Sequence, residues 1–313
     1  MKSLLLSCFL AATSVLFAQD DYLWWNKAVG WDGVTPWNSY INVAAATMGP
    51  NALPVQDVEL GLVQQQFRAK ISGESYISQG DFTNNLFASL NLPLFSDRVS
   101  LRIHMVPLEY HQYDTLTRNL RGARDFDGRG FSVGDVYVGT CIQLLKDHES
   151  WPDMMLSVNL KTASGSDFDA ARYTDAPGYS FNLSSGKDVT LGPVTVLRPF
   201  GRMGFFCYQT NLHTYPQNDA FLYGAGAQIK HKSIAARASF DGYLGYLNNG
   251  DRPAVLRFRV GYTPKERVEY FVRLQQGLND YPYSSLRLGC SFRLGSGAVR
   301  PLLADAEDES QQD

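Results

Sequence analysis

Two histidines are candidates for chemistry with a carboxylate further along the chain. His111 precedes Asp114, and His213 precedes Asp219, each pair in a polar stretch. A histidine beside a carboxylate can act as a general base, and with a serine it forms the machinery of a surface hydrolase. Neither pair comes with a His-x-Ser-Asn-Gly run or a similar motif, so both read as solvated loop histidines, and a surface lipid hydrolase is a remote alternative. Asp167, Asp169 and Asp175 offer oxygen ligands of the kind calcium takes, but their spacing is not that of an EF-hand loop. There is no zinc spacing, no phosphate-binding glycine loop and no nucleic-acid module. The sequence therefore predicts no enzyme, no cofactor and no metal. A net charge of −3 gives no reason to expect a nucleic-acid partner.

Arginine is the residue whose placement is informative. Arg118, Arg121, Arg124 and Arg129 interleave with Asp125 and Asp127 in one polar stretch. They read as a solvated or lipopolysaccharide-facing loop, or alternatively as a constriction folded into a pore. Near the C-terminus the pattern is stricter. Leu256, Phe258, Val260 and Tyr262 alternate with Arg257, Arg259 and Gly261; Val268, Tyr270, Val272 and Leu274 alternate with Glu269, Phe271, Arg273 and Gln275; Leu286, Leu288, Cys290, Phe292 and Leu294 alternate with Ser285, Arg287, Gly289, Ser291 and Arg293. Three consecutive strands with one apolar and one charged face, and no helix between them, suit a sheet with lipid on one side and water on the other.

The elements that would hold these arginines follow from the same period. Strands are predicted over 58–71, 82–94, 98–109, 131–145, 154–163, 178–183, 194–208, 220–230, 233–246, 254–263, 267–277 and 284–294. Short connections alternate with longer polar ones, which is the topology of an outer-membrane barrel with both ends in the periplasm. The predicted fold is all-β: a transmembrane antiparallel up-and-down barrel of about 12 strands. Aromatic content of 13% suits the two girdles of such a barrel, and a mean hydropathy of −0.21 excludes a bundle of membrane helices. The first strand switches phase between Leu62 and Val63, and Pro199 sits within another strand, so a β-bulge is expected in each.

Residues 1–18 read as a secretory signal with Lys2 before an apolar run. Residues 19–57 form an arm holding Trp24, Trp25, Trp31 and Trp37, broken by glycines and prolines. It is expected to pack on the periplasmic rim, or else to fold into the lumen as a plug. Residues 58–294 form the barrel, and 295–313 an acidic tail expected to be disordered. Cys141, Cys207 and Cys290 are odd in number and widely spaced, so they read as small apolar fillers rather than a disulfide framework or a zinc site.

An arginine facing lipid at mid-bilayer costs about 2–4 kcal/mol, so the charged face of each strand must point inward. That assigns Arg102 and His104 to the lumen from one strand, and Lys161 and Arg202 from two others. Arg237, then Arg257 and Arg259, then Arg273, then Arg287 and Arg293 follow from the closing strands. Set against Asp135, Asp241 and Glu269, the predicted wall is basic although the protein is acidic. A basic lumen concentrates anions; the same charges could instead pair across the wall or with the arm and fill the barrel.

Arg287-Leu288-Gly289-Cys290-Ser291-Phe292-Arg293-Leu294 resembles the assembly signal of a last outer-membrane strand, although here a tail follows it. Trp31-Asp32-Gly33-Val34-Thr35-Pro36-Trp37, followed by Met48-Gly49-Pro50-Asn51-Ala52-Leu53-Pro54, resembles uncharacterised outer-membrane proteins of Bacteroidota. So do Lys161-Thr162-Ala163, Ala171-Arg172-Tyr173 and Pro177-Gly178-Tyr179. Gly134-Asp135-Val136-Tyr137-Val138-Gly139 and Lys161-Thr162-Ala163-Ser164-Gly165 are similar to barrels of the phenol-degradation meta-pathway type. These resemblances imply a place in the outer membrane of a Gram-negative bacterium. The partners would be outer-membrane lipid and lipopolysaccharide, the outer-membrane assembly machinery and a small solute. The expected function is passive, porin-like passage of a small, anionic solute; the alternative is a closed barrel acting as a scaffold within a larger outer-membrane complex.

Overall fold

In the computed structural model, residues 22–94, 97–265 and 267–294 are described; the expected signal segment and acidic tail lie outside them. The strands are β1 (Phe67–Ser78), β2 (Asp81–Pro93), β3 (Val99–Tyr113), a short β4 (Arg129–Ser132), β5 (Tyr137–Leu145), β6 (Asp153–Lys161), β7 (Gly178–Gly186) and a short β8 (Val189–Gly192). They continue as β9 (Thr195–Gln209), β10 (Gln217–His231), β11 (Ile234–Leu244), β12 (Ala254–Lys265), β13 (Val268–Asn279) and β14 (Ser284–Leu294). Without the two short strands these form a closed antiparallel barrel of 12 strands, as the alternation predicts. Closure runs through the β1–β14 seam, where Phe67 faces Leu294 and Ile77 faces Ser284. Closing the sheet on itself removes the edges that the first and last barrel strands would otherwise present.

Period-2 chemistry sets which face is which. On β12, Phe258 is 50% exposed to the outside and its neighbour Arg257 only 6%. Val260, Tyr262, Tyr270, Leu274, Leu286 and Leu288 are likewise exposed on the outer surface. The barrel thus turns an apolar band outward and its charges inward.

Three expectations about register need correction. Residues 58–66 are not a strand: β1 starts at Phe67 and continues through most of the expected loop 72–81 to a tight turn at Gly80, where φ is +79°. No phase switch is needed there. Pro199 requires no bulge either, since β9 keeps unbroken register with β10, Pro199 facing Ala227. The Pro199 carbonyl accepts from the Lys187 N–H at 3.2 Å, so its missing N–H points the same way, into the break between β7 and β8. Register shifts fall elsewhere, in the β5–β6 and β12–β13 pairs and on β3, where Leu86 faces Leu108 and Ala88 faces Met105. Pro107 stands in that interval and cannot donate to a ladder. Inward positions therefore change from Arg102, His104 and Val106 to Glu109, His111 and Tyr113.

The arm, residues 22–66, begins at the end of the barrel that carries the long loops. Helix α1 (Leu23–Val29) and a 3-10 turn (Trp37–Tyr40) lie there against α2 (Thr115–Arg121) of the β3–β4 loop. The Trp25 Nε1 donates to the Gly122 carbonyl at 2.9 Å. Gly122 ends α2 in the left-handed region, and a Cβ there would collide with the Tyr40 carbonyl. Asp114 caps the start of α2 by accepting from the Thr117 N–H at 2.8 Å.

From Ile41 the arm enters the lumen. The Ala46 N–H donates to the Gly250 carbonyl and the Gly49 N–H to the Ala171 carbonyl, both from long loops. Ile41, Val43, Met48, Leu53 and Val55 are buried against an inward ring of tyrosines that includes Tyr76, Tyr208, Tyr243, Tyr281 and Tyr283. Aromatic area buried on a small, nearly uncharged segment is what makes this half of the lumen solid. The chain then continues towards the opposite, short-turn end, where Gln65 reaches the Asp97 carbonyl at 3.4 Å. The tryptophans therefore do not sit on the short-turn rim: they cap the other end, and the residues that fill the lumen are those after them.

Candidate functional site: a basic lumen threaded by the arm

Between Pro54 and Gln66 the arm is held mainly by wall arginines acting as donors. Arg257 Nη2 donates to the Val55 carbonyl at 2.6 Å, and Arg202 Nη2 to the Gln56 carbonyl at 3.0 Å. Arg237 bonds the Val58 carbonyl, and Arg198 Nε the Leu60 carbonyl at 2.9 Å. Two arm carboxylates add charge: Asp57 lies 3.0 Å from Arg273 and 3.3 Å from Arg257, and Glu59 pairs with Arg102. Gly61 (φ +77°) allows the closest approach; a Cβ there would stand 2.9 Å from the Asp153 carbonyl oxygen.

Beside the arm a cavity of about 1270 Å³ remains, reaching the short-turn end at Lys232, Lys265 and Arg293. Of the sequence-predicted lumen residues, Arg102, His104 and Arg202 line it, as do Arg237, Arg257 and Arg259, and Arg273, Arg287 and Arg293. Lys161 is inward but not on this cavity; it is buried at the long-loop end, 2.7 Å from Asp135 and bonded to Thr174. His104 stacks on Tyr137, ring centroids 4.6 Å apart.

Sequence reasoning missed the β1 side of the site. Arg68 and Lys70 line the cavity, and Glu74 is buried just beyond them. Their signal was present as the alternation Arg68, Lys70, Ser72, Glu74, Tyr76, but the expected strand ran over 58–71, which left Arg68 and Lys70 unassigned within it and put Glu74 in a loop. Glu74 is the main counter-charge: it accepts from Arg273 Nη2 at 2.7 Å, Arg287 Nε at 2.5 Å and Ser285 Oγ at 2.6 Å. Glu269 serves Arg259 at 2.6 Å and Arg68 at 3.8 Å. Lys70 has no carboxylate partner among the described residues and lies over the Phe87 ring at 4.9 Å.

The cross-strand register brings the arginines into a row. Glu74 faces Arg287, Arg287 faces Arg273, Arg273 faces Arg259, and Arg259 faces Arg237. Neighbouring strands are ~4.8 Å apart, so the four arginines follow one another around the wall at backbone steps of that size. Like charges directly opposite each other destabilise a sheet, and Glu74 and Glu269 offset that repulsion for Arg273, Arg287 and Arg259.

At the long-loop end the charges are matched and enclosed. Arg172 Nη2 donates to Glu109 at 2.7 Å and its Nη1 to Asp81 at 3.0 Å; Arg121 and Tyr283 also bond Asp81. Burial works against the Arg172 charge, but Glu109 and then Asp81 outweigh it and push its pKa above the ordinary guanidinium value. The expected solvated loop of arginines is corrected for three of its four members, Arg129 alone of them being exposed. Arg121 turns inward to this network, Arg118 stacks over Trp24 at 4.0 Å and Arg124 over Tyr22 at 3.6 Å. His111 is not a loop residue but an inward, buried position on β3, stacked on Tyr113 and 3.3 Å from Ser132 Oγ. His213 remains in the β9–β10 loop, and Asp219 lies on β10.

No family model matches the chain, and no curated protein matches it. Among solved structures, the chain is similar to an outer-membrane channel from Pseudomonas putida F1, at 14% identity over 78% of this chain and 97% of that one, with a TM-score of 0.51. It is more loosely similar to the KdgM porin (11% identity, 72% and 99% covered, TM-score 0.41). A third is the transport unit of the autotransporter AIDA-I from Escherichia coli (8% identity, 79% and 95% covered, TM-score 0.46). At these identities the likeness is one of fold.

Proposed function

We propose that this protein is a passive channel of a Gram-negative outer membrane, conducting small anionic solutes, with the threaded arm as its plug. The observation that carries the proposal is the cavity beside the arm. Its wall cations outnumber its carboxylates, and it reaches the short-turn end past Lys232, Lys265 and Arg293. A wall of that sign raises the local concentration of anions. The outward apolar band suits lipid, and the fold shared with an outer-membrane channel supports the same setting. No covalent chemistry is required of the residues in the lumen; selectivity rests on width and wall charge.

The solid long-loop half favours a second reading, a closed barrel serving as a scaffold within an outer-membrane assembly. Purified protein in a planar bilayer separates the two. The channel reading expects conductance steps selective for chloride over potassium, shifted towards cations when Arg237 and Arg259 are both changed to Glu. The absence of steps at any voltage would overturn it and leave the scaffold.

A further inference from the structure

The row Arg237–Arg259–Arg273–Arg287 has four guanidinium groups on four adjacent strands, in direct register, inside a water-accessible cavity. The pairing among its members is uneven. Arg287 and Arg273 share Glu74, which lies at one end of the row. Arg259 has one carboxylate bond, from Nη2 to Glu269 Oε1. Arg237 makes no close carboxylate ion pair among the described residues: Asp57 and Asp241 act on it only from farther off, and it bonds the Val58 carbonyl and stacks on Phe200 at 4.5 Å. The Arg273 Nε is buried without a partner. Each guanidinium carries five N–H donors, so most donors at the Arg237–Arg259 end are directed to solvent or to a ligand.

The arm shows what this row binds. Asp57 places a carboxylate against Arg273, and the Val58 carbonyl meets Arg237, so an extended chain of acceptors lies along the row. Acceptors spaced along a chain match donors spaced along a row, and a carboxylate can take two parallel N–H bonds from one guanidinium. A monovalent anion can use one position of the row; a multivalent one can use several at once and gains from their common framework.

We infer that the arginine row is a binding site for a small multivalent oxyanion, carboxylate or phosphate, and that Asp57 of the arm is its resident competitor. The inference deepens the channel reading by naming the solute class, but its test does not need a current. Purified full-length protein in detergent is titrated with tricarballylate, tripolyphosphate and acetate at fixed ionic strength, and binding is read by calorimetry. Tricarballylate or tripolyphosphate is expected to bind at least tenfold more tightly than acetate. Changing both Arg237 and Arg259 to Gln should weaken that binding at least tenfold, changing both to Lys should keep part of it, and Asp57→Asn should strengthen it. Lys146→Gln, on an exposed turn, should change nothing. Equal binding of acetate and the multivalent anions, or binding untouched by the double Gln variant, overturns the site. Should the double Gln variant not fold, the affinity of the Asp57→Asn variant for tricarballylate decides: no gain over the unaltered protein also overturns it. Current without multivalent binding defeats the site alone, and binding without current defeats only the channel. The stronger of the two probes tells carboxylate from phosphate.

Discussion

Asp57 and Arg273 meet at 3.0 Å, a contact between a chain passing through the barrel and the barrel itself. The Asp57 side chain is 50% exposed, so the pair is screened and contributes at most about 1 kcal/mol. Asp57→Asn should therefore loosen the arm modestly, raising the open probability in planar bilayers two- to fivefold. A fall in open probability would show that Asp57 does not hold the plug in place.

Glu74 belongs to a different energy scale. It is buried and bonded to Arg273, Arg287 and Ser285. Glu74→Gln leaves two buried guanidiniums without their shared counter-charge, and should destabilise the barrel by about 3–5 kcal/mol. Urea unfolding in detergent micelles, followed by tryptophan fluorescence, measures this. A loss below 1 kcal/mol would mean that water already solvates these arginines.

Val260 and Arg259 are neighbours on β12 that face opposite ways. Val260→Arg puts a guanidinium on the outer band and should cost about 2–4 kcal/mol when the protein is folded in lipid vesicles. The same change measured in an aqueous-detergent mixture rich in headgroups should cost less. Equal and negligible costs in both would argue that β12 does not face lipid at this depth.

Asp114 gives a pH dependence confined to the long-loop end. Its hydrogen bonds from Thr117 hold the carboxyl below its ordinary value of 3.8. The stabilisation of α2 is present above the ordinary value and is lost as pH falls through the lowered one. Amide exchange at Thr117 should accelerate over that acid window, and Asp114→Asn should remove the dependence. Acceleration beginning near neutral pH would point to another group.

The closing strands were the most legible part of the chain. Each keeps an apolar face and gathers its charges on the other, and the cost of an arginine in lipid sets the expected phase, so Arg257, Arg273 and Arg287 could be assigned inward without a structure. The arm was misread because Val58, Leu60 and Leu62 also alternate with polar residues. A chain held in a lumen by arginine-to-carbonyl bonds imitates a strand at the level of side chains, and only its main-chain partners tell the two apart. Glu74 and Lys70 were lost with that error, one placed in a loop and the other left unassigned. The β3 bulge escaped notice because Pro107 lies next to apolar residues on both sides, and a change of face there leaves no gap in hydrophobicity.

The path of the arm also constrains the order of events during assembly. Every neighbouring pair in the ring is joined by a local hairpin or loop connection except β1 and β14, which are the two ends of the barrel sequence. Residues 22–66 pass lengthwise through that ring and carry a helix and four tryptophans at the far end. A finished ring would have to admit this bulky end through a lumen lined with tyrosines. A ring still open at its one chain-discontinuous seam can instead be wrapped around the arm sideways. Topology thus favours a route in which the arm is a mandrel on which the cylinder closes, its arginine contacts forming before, or together with, the last pair of strands.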